Sequence, residues 1–83
     1  MSDATQPTFE QIAEIIVEKF GVPRDRIVSD AVLEDIELDS LALIEVALAV
    51  KKQFGFDVPT EDLKTSGTVA DLYDAVTTAF RAS

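Results

Sequence analysis

A single serine, Ser40, stands where a run of acidic residues meets an almost wholly apolar stretch, in the segment "EDIELDSLALIEV". The acidic residues of residues 30–45 are Asp30, Glu34, Asp35, Glu37, Asp39 and Glu45, and this segment contains no lysine or arginine. A serine hydroxyl in such a place can cap a helix, attack a substrate, or be modified by another protein. The residues around it discriminate among these roles.

Catalysis by Ser40 itself requires a base within hydrogen-bond reach of the hydroxyl. The chain has no histidine and no cysteine, so neither a Ser-His-Asp nor a Cys-His site can be assembled within it. Lys51 and Lys52 lie on the same predicted helix, roughly 16 Å from the serine along its axis. We therefore expect Ser40 to be a substrate for another enzyme, which supplies the base and the metal; a hydrolase is the least supported class.

Helix capping is the structural alternative for this serine. Either Asp39 or Ser40 is a suitable N-cap, and if Ser40 is the cap, its replacement by alanine should cost about 0.5–2 kcal/mol. The surrounding acids gain from the helix dipole only within the first turn, so stability explains them poorly. They predict a surface that recognises a basic partner, although a merely solvated acidic loop is the alternative.

Two long helices are predicted on either side of this acidic segment. Thr8 and Gln11 form a capping-box pattern, and apolar spacings of three and four predict a helix from about Phe9 to Phe20, ended by Gly21. A second helix should run from Leu41 to Phe54 and end at Gly55. Of residues 41–50 only Glu45 is not apolar, so this helix is either central or offers a face to something else.

The rest of the chain predicts a third long helix and one short one. Thr68 with Asp71 resembles another capping box, and the apolar periodicity that follows continues almost to residue 80. Thr60 is expected to cap a short helical turn that reaches Leu63. The fold class is therefore all-α, a small four-helix bundle with three main helices, forming a single domain over residues 1–83 with flexible ends at 1–7 and 81–83.

The first connection, residues 21–39, is longer than the ~12–15 residues that compact domains usually tolerate without a functional or packing reason. We call it loop 1, and we expect a short turn of helix within it. Apolar side chains should anchor it to the helices. These candidates are Ile27, Val28, Val32, Leu33, Ile36 and Leu38.

Composition limits the classes of partner. Seven basic residues against 16 acidic ones give a net charge of −9, which opposes nucleic-acid binding and favours basic protein partners. The N-terminus has no secretory pattern, and Leu41–Val50 is shorter than the ~20 residues of a membrane span. We expect a cytoplasmic monomer that holds no metal of its own.

The order of these features resembles the acyl carrier protein family. The resemblance covers nearly the whole chain: a helix, a long loop, "LDSL" at the start of a second helix, Glu45 within it, "FGFDVPTEDL" after it, and "TVADLYDAV" in the last helix. It implies that Ser40 is the attachment point of 4'-phosphopantetheine, transferred from coenzyme A by a separate Mg-dependent phosphopantetheinyl transferase. The thiol of that group would then hold acyl chains as thioesters.

The resemblance also implies partners and the residues that contact them. The chain would be a non-catalytic carrier that serves an acyltransferase, a ketosynthase and other acyl-processing enzymes of fatty acid or polyketide synthesis. Partner recognition would involve Glu37, Asp39, Leu41 and Glu45, and a pocket for the bound chain could use Val46, Ala47 or Val50. The chain departs from the family pattern at Ala42, Lys51 and Lys52, where many carriers have acids.

Two other functions use the same surface. In an aminoacyl or peptidyl carrier, glycines usually precede the serine, and "ELDSL" favours acyl cargo over that alternative. An unmodified acidic module that binds a basic protein face is the second alternative, and its binding would weaken steeply with salt.

Overall fold

Three α-helices make up most of the computed structural model, which describes residues 6–82 apart from the side chain of Asp62. They are α1 (Phe9–Phe20), α2 (Ser40–Phe54) and α3 (Val69–Ala82), with 3₁₀ turns at Arg24–Arg26, Leu33–Ile36 and Thr60–Asp62. Across the described residues there is no strand, only an isolated bridge between Val32 and Thr68. The all-α prediction is confirmed, with the short fourth element formed as a 3₁₀ turn. Thr60 does not cap that turn, because it is the first residue within it and Pro59 precedes it.

The ends of α1 follow from local sequence. Thr8 Oγ1 accepts a hydrogen bond from Gln11 N at 3.1 Å, and Thr8 N donates to Gln11 Oε1 at 2.9 Å, so the predicted capping box is present. At the other end Gly21 has a φ of 71°, a left-handed conformation that stops the helix and costs glycine little. Helix α1 therefore begins and ends at the predicted residues.

A core of aliphatic side chains lies between the three helices and loop 1. Its large members with under 2% exposure are Ile12, Ile16, Ile27, Leu33, Leu38, Val46, Val50, Val69, Leu72 and Val76. Full burial of each such side chain stabilises the fold by about 1.5–3 kcal/mol. Because loop 1 contributes three of them, the loop is part of the core.

Loop 1 is ordered by its apolar anchors and by backbone pairing with residues 65–70. Four of the six predicted anchors are buried, namely Ile27, Leu33, Ile36 and Leu38. Val32 is only half-buried, and Val28 is wrong, because its side chain is 47% exposed. Leu33 N donates to Gly67 O, and Val69 N donates to Ala31 O, both at 2.9 Å. The second of these bonds satisfies an amide in the first turn of α3, which has no partner within its own helix. The loop and the start of α3 therefore hold each other in place.

The structure describes Pro7 near the N-terminus and helix α3 as far as Ala82. Pro7 is buried, and its carbonyl accepts a hydrogen bond from the Tyr73 hydroxyl at 3.1 Å. Helix α3 continues through Arg81 to Ala82. The sequence predicts flexible ends over 1–7 and 81–83, and residues 1–5 and 83 of these lie outside the described residues. Within residues 6–82, none of the helices has the length and hydrophobicity that a membrane span requires.

Candidate functional site

Ser40 is the first residue of α2, and the residue before it caps the helix. Asp39 Oδ1 accepts a hydrogen bond from Ala42 N at 2.9 Å, with Asp39 in an extended conformation. This resolves the choice that the sequence leaves between two capping residues. The helix needs no contribution from the serine hydroxyl, so capping does not explain a serine at this position.

The Ser40 side chain is exposed. Its hydroxyl forms no hydrogen bond with any other residue in the described range 6–82. The residue is therefore accessible to a second protein. The α2 amides around it also favour a negatively charged group attached there, although the Asp39 carboxylate partly offsets this.

The assignment of the cap to Asp39 predicts a larger loss of stability for one of two neighbouring substitutions than for the other. Asp39→Ala should lower the free energy of unfolding by about 0.5–2 kcal/mol, because one first-turn amide loses its partner. Ser40→Ala should change it by less than about 0.5 kcal/mol, because an exposed side chain without contacts is removed. Urea denaturation followed by circular dichroism measures both values. Equal losses for the two variants would contradict this assignment.

The backbone leading into Ser40 is held firmly from inside. Leu38 is fully buried, and its N–H donates to Leu33 O at 2.9 Å. Before it, Glu37 has a φ of 67°, an uncommon left-handed conformation for a residue with a side chain. The chain thus turns sharply out of the core, and Asp39 and Ser40 follow on the surface at a fixed position.

The acidic residues of segment 30–45 are all exposed: Asp30, Glu34, Asp35, Glu37, Asp39 and Glu45. None of them is ion-paired within the described part of the chain. One cation does approach the segment from outside it, since Arg26 Nη2 donates to the Asp35 carbonyl oxygen at 3.0 Å. The structure therefore places strong negative charge around the start of α2.

Helix α2 exposes a row of large apolar side chains, which we call the α2 stripe. It consists of Leu41, Ile44 and Leu48, with exposed fractions of 64%, 43% and 56%. Their spacing of three and four puts them on one face of the helix, beginning directly beside Ser40. The sequence predicted Leu41 as a contact residue but missed Ile44 and Leu48. The sequence signal for these two residues was their helical spacing from Leu41. Helix α2 has apolar residues on nearly every side, more than a single core can bury.

The opposite face of α2 faces the core. Val46, Ala47 and Val50, named from the sequence as possible lining for a bound chain, are all buried. A surface cleft of about 470 Å³ opens elsewhere, between loop 1 and the start of α3. Its lining residues are Leu33, Leu63, Lys64, Ser66, Gly67, Asp71 and Leu72.

Comparison with known proteins agrees with this geometry. A family described as "Phosphopantetheine attachment site" matches residues 10–76. The chain is 40% identical over 65 residues to an acyl carrier protein of Zymomonas mobilis, covering 77% of this chain and 83% of the relative. It is 31% identical over 77 residues to an acyl carrier protein of Thermobifida fusca, covering 92% and 98%. No solved structure matches significantly.

The fold and these similarities define a small helical carrier, and the chain belongs to the phosphopantetheine attachment-site family. It is a carrier of the acyl carrier protein type, with phosphopantetheine as its covalent prosthetic group. Members of this family are generally not catalysts and work with acyl-processing enzymes.

Proposed function

We propose that Ser40 is the residue that carries 4'-phosphopantetheine, and that the chain delivers acyl intermediates to enzymes of fatty acid or polyketide synthesis. The observation that supports this most is an exposed hydroxyl at the first position of α2 with no hydrogen-bond partner in the described chain. When bound, the prosthetic group supplies a terminal thiol that forms thioesters. The chain has no cysteine, so that thiol would be its working sulfur.

Attachment is a transfer reaction at the serine oxygen. Ser40 Oγ forms a bond to a phosphorus of coenzyme A, the bond between that phosphorus and the oxygen of the leaving 3',5'-ADP breaks, and the serine proton passes to a base. A separate phosphopantetheinyl transferase supplies the base and Mg²⁺, because the chain has no histidine and its α2 lysines lie at the far end of the helix. Its own residues present the oxygen and fix the backbone on both sides.

Partner enzymes would recognise the surface around the serine. Glu37, Asp39 and Glu45 supply exposed negative charge, which attracts a basic enzyme surface and raises the rate of encounter. Leu41 supplies an apolar contact next to the attachment point. These residues would orient the chain so that the loaded group enters the partner's active site.

The test is incubation of the folded protein with coenzyme A, Mg²⁺ and a broad-specificity phosphopantetheinyl transferase, followed by intact-mass spectrometry. We expect the protein to gain the mass of a single phosphopantetheinyl group. Omission of the transferase should abolish the gain, since we assign the base and the Mg²⁺ of the reaction to that enzyme. Folded protein that gains no mass would refute the proposal and favour the unmodified interaction module.

A further inference from the structure

Charge changes sign along the exposed face of α2. Its beginning lies among acidic residues, with Asp39 as the cap and Glu45 exposed. Its last turn carries Lys51 and Lys52, both exposed. Ser40 and Lys52 are separated by about 18 Å along the axis at ~1.5 Å per residue.

Lys52 lies in line with the α2 stripe. At ~100° per residue, residues 41, 45, 48 and 52 fall within a narrow arc of the helix surface. Along this exposed face, from Ser40 towards the end of α2, the residues are therefore apolar Leu41, negative Glu45, apolar Leu48 and positive Lys52. The negative and positive side chains lie on the same exposed face of α2.

The two lysines of this turn differ in their contacts. Lys51 Nζ forms an ion pair with Asp57 Oδ1 at 3.1 Å, so its charge is already partnered within the chain. Lys52 has no ion pair with the residues that the structure describes. Both lysines lie in the last turn of α2 and complement the negative end of the helix dipole, as Lys19 does in α1. Lys52 differs from Lys51 in that its charge has no partner among the described residues and is available to a second protein.

We propose that the α2 stripe, with Glu45 and Lys52, docks a partner enzyme in one direction only. This inference rests on the proposed carrier function and adds the chemistry of the partner. The complementary surface is an apolar groove that is basic at the end near Ser40 and carries a carboxylate at the end facing Lys52. Docking in the reverse direction would place like charges against each other, and such repulsion excludes wrong arrangements.

A matched pair of charge reversals tests this proposal. Lys52→Glu and Lys19→Glu change the net charge equally, and each alters an exposed lysine in the last turn of a helix that ends at a left-handed glycine. The probe is a ketosynthase that turns over the loaded wild-type protein. Its KM and kcat are measured with each loaded variant, and its Kd with each unloaded variant.

Lys52→Glu should raise KM and Kd roughly three- to tenfold, because one attractive contact becomes repulsive, while kcat stays within about twofold. The rise should shrink at high salt. Lys19→Glu should leave KM and Kd within about twofold of the wild-type values, since only the long-range field changes. Leu48→Ala, which truncates the middle of the stripe, should also raise Kd.

Equal effects of Lys52→Glu and Lys19→Glu would overturn the proposal, because the local contact would then be absent. Tighter binding of Lys52→Glu would overturn it as well, since the partner would be basic along its whole length. Loading of each variant from coenzyme A is measured first. Failure at that step refutes the carrier function, whereas normal loading with unchanged Kd values refutes only the docking direction.

Discussion

Ser40→Ala will gain no phosphopantetheinyl mass under conditions in which the wild-type protein is fully converted. The substitution removes the oxygen that we propose as the attachment point, and no other group at that helix start can replace it. Far-ultraviolet circular dichroism should be unchanged, because Asp39, and not Ser40, caps α2. Intact-mass spectrometry after incubation with coenzyme A, Mg²⁺ and transferase measures the result.

Two other exposed serines provide matched controls for this experiment. Ser29 lies in loop 1 and Ser66 lies before α3, and neither begins a helix. Ser29→Ala and Ser66→Ala should be modified as fully as the wild-type protein. If Ser40→Ala is still modified and one of the control variants is not, the attachment point is that control serine and the proposed site is wrong.

Leu33→Ala should lower the free energy of unfolding by about 2–5 kcal/mol, a large fraction of the stability of a small domain. Leu33 is 1% exposed within loop 1, and its truncation leaves a cavity in the core. Its backbone also pairs with Gly67 O and accepts from Leu38 N, so the loop around it cannot readily collapse to fill the space. Urea denaturation at neutral pH measures the loss.

Val28→Ala is the matched control for that truncation, because it shortens another apolar side chain of the same loop. Val28 is 47% exposed, so its loss should cost less than about 0.5 kcal/mol. Similar costs for the two variants would mean that loop 1 is not anchored as the structure describes. The comparison also measures how much of this loop's order depends on buried side chains.

The helix boundaries could be predicted from the sequence because they are set by nearby residues. Thr8 with Gln11, Thr68 with Asp71, and the left-handed Gly55 each act within one turn of the element they limit. Capping patterns therefore place α1 and α3 without knowledge of the rest of the fold. The start of α2 was predicted to within a single residue, at Leu41 instead of Ser40.

Features that depend on distant parts of the chain were not predictable. The bonds between loop 1 and residues 65–70 join segments with no local pattern in common, and they decide which loop side chains are buried. Because these bonds could not be predicted from the sequence, Val28 was expected to be a buried anchor, but its side chain is exposed. Likewise, the choice between core and surface for Ile44 and Leu48 requires knowing where α1 and α3 pack against α2.

The site itself was predicted only in part. Ser40 was proposed from residue types, since a chain without histidine or cysteine offers a serine oxygen but neither of the commonest catalytic partners for it. The sequence could not show that the hydroxyl is exposed and free of internal hydrogen bonds, because that depends on how Leu38 and Asp39 direct the chain out of the core.

The most direct test of the carrier function is fragmentation mass spectrometry of the protein purified from the cells that make it. We expect a phosphopantetheinyl group, free or acylated, on the fragment that contains Ser40 and on no other. Protein recovered entirely with an unmodified Ser40, or with the group on a different residue, would contradict it.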